Sequence, residues 1–160
     1  MDIYEFAMQM EKDGEDFYRY LVTRNNHKGI VTILNMLADE EVKHYNIIKT
    51  MKNNVLKVED TTILDRAKNI FIQIKEGKEK FDFDTKEIPL YRQAQDIELK
   101  SKEFYLEQAH NSENENHKQV FFKLSDEENR HFFLLDNIIE FVQRPERWLE
   151  NAEFYHLEKY

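Results

Sequence analysis

Two stretches of the chain place a carboxylate and an imidazole at the same spacing: Glu41 and His44 in LADEEVKH, Glu128 and His131 in LSDEENRH. Residues three apart on a helix share a face, so each Glu-x-x-His motif offers an oxygen and a nitrogen donor to one neighbour. A further carboxylate stands at a fixed distance upstream of each. Glu11 lies 30 residues before Glu41, and Glu98 lies 30 before Glu128. The midpoints, Asn26 in RNNHKG and Glu113 in HNSENEN, fall in stretches that favour a turn. If each segment folds back as an antiparallel helical hairpin, residues equidistant from the turn sit at one level. With a rise of about 1.5 Å per residue, each Glu lies roughly 20 Å from its loop. Glu11 then faces Glu41, and Glu98 faces Glu128.

The stripe that carries these groups is otherwise apolar. Glu11 lies between Ala7 and Tyr18, and Glu98 between Ala94 and Tyr105. A carboxylate taken into a core is costly unless it is paired. Four of them in one bundle repel one another and raise their own pKa values. Two divalent cations would remove that penalty, and four Glu with two neutral His form a donor set suited to iron or manganese. A lone Glu-x-x-His in a Glu-rich helical chain is more often a solvated pair. Two copies, each with its partner Glu at the same distance, favour metal. The other histidines (His27, His110, His117 and His156) fall near expected helix ends or in the tail and read as surface residues.

Sliding the chain against itself by 87 residues superposes Ala7 on Ala94, Glu11 on Glu98, Phe17-Tyr18 on Phe104-Tyr105 and Asp39-Glu40-Glu41 on Asp126-Glu127-Glu128, with no gap. The chain therefore reads as two copies of one hairpin. Only three Gly and two Pro punctuate it, which favours long helices. Apolar periodicity gives a first helix from Ile3 to Leu21, a second from about Gly29 to Met51 and a third over about Glu87–His110. A fourth opens at Ser112, where Ser112 and Glu115 suggest a capping box, and runs to about Val142. Between the second and third lies the connection Lys52–Thr85, with its own helical stretch TTILDRAKNIFIQIKEG. That stretch is long enough to return along the bundle. The expected fold is an all-α four-helix bundle in up-down-down-up order, followed by a short C-terminal helix. One domain spans 1–160: a first hairpin (1–51), the crossover (52–85), a second hairpin (86–143) and the last helix (144–160). The apolar tail from Pro145, with Trp148, Leu149, Phe154, Tyr155 and Leu157, should cover its own bundle or meet a second subunit.

A net charge of −9 leaves no basic footprint for nucleic acid. No stretch is apolar enough to span a bilayer, and MDIYEFAMQM does not read as a signal peptide. With no Cys, thiolate metal sites and cysteine nucleophiles are excluded from these 160 residues. A cytoplasmic location is the default expectation.

The pairing of Glu on two helices with Glu-x-x-His on two others resembles the ferritin-like di-iron carboxylate proteins. Within them, A-x-x-x-E-x-x-G-x-x-F-Y, here Ala7 to Tyr18 with an echo from Ala94 to Tyr105, looks like the rubrerythrin branch. The resemblance implies that Glu41 and Glu128 bridge two iron ions, that Glu11 and Glu98 are terminal carboxylates, and that His44 and His131 bind one ion each. Manganese or zinc are alternative occupants. Tyr18 and Tyr105 would hydrogen-bond to ligand carboxylates, or be buried aromatics with satisfied hydroxyls. Glu40 and Glu127 could orient imidazoles, but read more simply as facing water. Two departures stand out. Typical rubrerythrins carry a rubredoxin-like module, so an external electron donor is implied for a chain without Cys. They also carry a further Glu where this chain has Ser101. The implied activity is reduction of hydrogen peroxide or dioxygen by a homodimer. Iron handling without catalysis, and metals that merely hold the bundle closed, are the alternatives.

Overall fold

The computed structural model describes residues 2–52, 61–150 and Leu157. Its helices are α1 (Ile3–Thr23), α2 (Lys28–Met51), α3 (Ile63–Glu76), α4 (Ile88–Asn111), α5 (Glu115–Gln143) and α6 (Pro145–Glu150), with a 3₁₀ turn at Thr85–Glu87. No strand occurs among the described residues, and no helix there is long and apolar enough to cross a membrane.

The helix starts follow from local chemistry. Asp2 accepts from the Glu5 amide at 2.8 Å, the His27 ring accepts from the Ile30 amide, and Asn114 accepts from the His117 amide at 3.1 Å. Asn114 replaces the box expected at Ser112 and Glu115. Ser112 instead ends α4, and its hydroxyl donates to the Asn114 carbonyl. Pro89 sits in the first turn of α4, where its missing amide hydrogen costs nothing.

Contacts between helix ends define the topology. Arg24 and Asn25, just past α1, meet Glu87 and Tyr91 at the start of α4, so α1 and α4 are antiparallel. Tyr4 near the start of α1 meets His117 near the start of α5 at 3.0 Å, so those two run parallel. The order is up-down-down-up. The crossover helix α3 climbs back beside α2, and its Ile74 packs on Gly29 so closely that a Cβ there would lie 2.7 Å from Cδ1. Only glycine fits that approach. The feature that positions the site is a polar layer dividing the core. Toward the α1–α2 loop lies one apolar cluster, with Leu21, Ile33, Leu34, Phe71, Leu134 and Phe141. Toward the other end lies a second, with Ala7, Ile48, Tyr105, Phe121 and Leu124.

Within the tail, Trp148 and Leu149 are buried, and the Trp148 ring packs at a tilt against Phe71 and Phe141, at centroid distances of 4.6 and 5.7 Å. This part of the tail therefore packs on its own bundle. Phe154, Tyr155 and His156 lie outside the described residues.

Candidate metal centre

All six residues singled out by the repeat meet in the layer between the two apolar clusters, each almost wholly buried. They form two overlapping groups. Glu11, Glu41, His44 and Glu128 offer donor atoms within 4.8 Å of one another, as do Glu41, Glu98, Glu128 and His131. Glu41 and Glu128 belong to both, which is the geometry of bridging carboxylates. Both imidazoles aim Nδ1 inward. His44 Nδ1 lies 2.6 Å from Glu128 and 3.5 Å from Glu11, while His131 Nδ1 lies 3.1 Å from Glu41 and 3.3 Å from Glu98. The two rings stand nearly parallel, 5.6 Å apart.

Within this layer Glu11 Oε2, Glu98 Oε2, Glu128 Oε1 and His44 Nδ1 are buried without a hydrogen-bond partner. Buried polar atoms are rarely left so, and four on residues that converge on one point fit cation binding. Burial and the charges of its neighbours push Glu41 and Glu128 well above the usual carboxylate range. Glu11 and Glu98 go the other way. Burial would raise them, but a hydrogen bond from Glu41 and the His44 charge lower Glu11. The His131 charge and hydrogen bonds hold Glu98 at about 2. Four carboxylates and two imidazoles, dry and closely set, suit two hard or borderline divalent ions.

The surrounding contacts cross from hairpin to hairpin. Tyr18 of α1 donates to Glu98 of α4, and Tyr105 of α4 donates to Glu11 of α1 at 2.5 Å. Both buried hydroxyls are thus satisfied by the two upstream carboxylates of the repeat. Glu40 and Glu127 do not face water. They are 3% and 5% exposed, and each approaches the histidine of the other hairpin: Glu127 at 3.4 Å from His44 Nε2, Glu40 at 3.8 Å from His131 Nε2. Read along one helix, each Glu seemed paired, if at all, with the His four residues on. The bundle's twofold arrangement exchanges the partners instead. Thr61, which the sequence did not single out, donates to Glu40, and with His131 it holds that carboxyl at about 2 against the effect of burial. The repetition of both Glu residues of Asp-Glu-Glu at the 87-residue offset was the available signal.

Gly14 makes room for the Glu41 carboxylate. A Cβ there would lie 3.2 Å from Glu41 Oε2, close enough to press on the carboxylate. Its repeat counterpart, Ser101, is buried in the second hairpin. His27 and His117 do have structural partners, Glu79 at 2.8 Å and Tyr4, so they are not simply solvated.

Tyr105→Phe tests the surrounding shell. It should leave two metals bound but weaken the ion beside Glu11 by about tenfold to a hundredfold, as calorimetric titration would show. Unchanged affinity would mean that the hydroxyl does not tune the ligand.

The family model described as Rubrerythrin matches residues 2–139, which take in both hairpins and the crossover between them. No curated protein and no solved structure matches the chain.

Proposed function

The chain belongs to the rubrerythrin family, and from that premise we propose that it is a di-iron oxidoreductase that reduces hydrogen peroxide or dioxygen. The observation that carries this reading is the pair of overlapping donor groups that share Glu41 and Glu128. Bound there, two ferrous ions would supply the two electrons that cleave an O–O bond.

The residues' own work can be read from their contacts. Glu41 and Glu128 would hold both ions, with Glu11 and His44 completing one set and Glu98 and His131 the other. Tyr18 and Tyr105 fix the rotamers of the terminal carboxylates through their hydroxyls. Glu127, within hydrogen-bond distance of His44 Nε2, would orient that ring so that Nδ1 faces an ion, while Glu40 stands at ion-pair distance from His131 Nε2. The apolar clusters above and below exclude water and strengthen each of these interactions. With no Cys in the 160 residues, electrons would come from a separate donor protein or a small reductant. A homodimer belongs to this reading, and its interface would use a face other than Trp148 and Leu149, which the chain buries itself.

Iron handling without turnover is the second reading, favoured by Ser101 standing where typical rubrerythrins carry a further Glu. Metal analysis of protein purified without oxygen, joined to a peroxide-consumption assay with a reductant, separates the two. Two irons with multiple turnovers support the oxidoreductase. Two irons with a single oxidation per site support the second reading.

A further inference from the structure

One half of the site lies beside an opening to the surface. Between α1 and α2 a cavity of about 630 Å³ opens to the surface and reaches Glu11 and Glu41. Its outer wall includes Gln9, Lys12, Glu15 and Asn46. The floor presents Glu11, 1% exposed, whose Oε2 has no hydrogen-bond partner. Glu15 stands one helical turn from Glu11 on the same face of α1. Lys12 lies beside it, its ammonium 3.2 Å from Glu15 and 3.0 Å from Asp16. At the 87-residue offset the second hairpin has different chemistry at these positions: Leu99 for Lys12, Lys102 for Glu15, and Phe132 and Phe133 for Tyr45 and Asn46. Asp96 stands for Gln9 there, but a carboxylate one turn past the buried Glu belongs to the first hairpin, where Glu15 follows Glu11, whereas Lys102 follows Glu98.

We infer that the groove between α1 and α2 is the port through which divalent cations reach the buried layer, with Glu15 passing an ion to Glu11. The inference rests on the metal-binding reading above. A buried site shut between two apolar clusters needs a path along which a cation keeps oxygen donors as it sheds water. Glu15 and then Glu11 provide one, a turn apart. A negative cleft with low-dielectric walls also raises the local cation concentration and the association rate. Lys12 moderates that field by pairing with Glu15.

The test follows Co²⁺ uptake by the metal-free full-length protein, using its visible absorption in stopped flow, with stoichiometry measured at equilibrium. Gln9→Trp, at an exposed position on the groove wall, should slow uptake by about tenfold or more while two ions still bind. Asp96→Trp, the exposed counterpart on α4, should load at the wild-type rate. Glu15→Gln should slow uptake several-fold and Lys12→Gln should speed it, opposite signs that a general loss of packing would not give. Wild-type rates in both Gln9→Trp and Glu15→Gln would overturn the port while leaving the metal site intact. Equal slowing in Asp96→Trp would overturn it too. Failure of the wild-type protein to bind Co²⁺ would overturn the metal-binding reading, and the port with it.

Discussion

Replacing Glu41 and Glu128 together with alanine should take the protein from two bound metal ions to near none. Each carboxylate serves both donor groups, so the double variant leaves Glu11 with His44 on one side and Glu98 with His131 on the other. Two donors on each side are too few to replace the hydration shell of a hard or borderline divalent ion. The metal-dependent gain in stability should vanish with the metals. For wild-type protein at a metal concentration about a hundred times Kd, that gain is about 2.7 kcal/mol for each ion bound, visible as a higher Tm. The comparison is internal, because the metal-free forms set the baseline. The substitutions put no new charge or bulk into the core, so the metal-free variant should still fold. Metal analysis and thermal denaturation with and without metal check both halves. Two ions held tightly by the double variant would sink the bridging assignment.

A comparably large effect is expected from protons. Without metal, burial and neighbouring carboxylates keep Glu41 and Glu128 protonated far above the usual carboxylate range. Burial lowers His44 and His131, but the charges of Glu11 and Glu128 on one and of Glu98 on the other outweigh it and raise both well above the ordinary imidazole value. In the metal-free site these shifts favour protonated Glu41 and Glu128 and charged imidazoles beside Glu11 and Glu98. Four carboxylates with two divalent ions sum to zero. Protons thus stand in the electrostatic place of the cations, and loading should expel protons from the site. Metal affinity should accordingly fall steeply as pH drops.

The stability of the metal-free protein has a definite sign. Glu41, Glu128, His44 and His131 all have folded-state pKa values above their unfolded ones. Their bound protons favour the fold fully below the unfolded values, about 4.3 for Glu and 6.5 for His. That contribution is lost as pH rises through the folded values. Glu98 and Glu40, held at about 2, act at the acid end, stabilising above about 4.3 and losing that contribution as pH falls toward 2. Metal-free Tm should therefore decline from neutral to alkaline pH while the loaded Tm holds, widening the gap. Release of less than one proton on loading, or a metal-free Tm that rises with pH, would contradict this.

The ligand set was legible because it is written twice, at a fixed offset and at equal distances from two turns. A buried Glu on an apolar stripe is also hard to explain without a cation. Helix extents were legible from periodicity, with errors of a few residues where caps compete. Asn114, rather than Ser112, opens α5 because its side chain reaches the His117 amide. What escaped was partnership across the bundle. Glu40 and Glu127 sit one position from the bridging ligands, and same-helix reasoning turned them toward solvent. Their burial depends on how α2 and α5 approach each other, which no single-helix pattern encodes. Thr61 escaped for the same reason. That Trp148 packs on its own bundle, against Phe71 and Phe141, was equally invisible.

Four polar contacts around the cluster cross the line between the hairpins: Tyr18 with Glu98, Tyr105 with Glu11, Glu127 with His44, Glu40 with His131. One hairpin by itself carries half of a two-ion site, and two identical hairpins, facing each other, would carry a whole one. Joining the halves in a single polypeptide frees them from identity. Each can then change on its own without spoiling a symmetric mate. Gly14 against Ser101, Lys12 against Leu99 and Tyr45 against Phe132 mark where this chain has used that freedom. The ligands are where it has not.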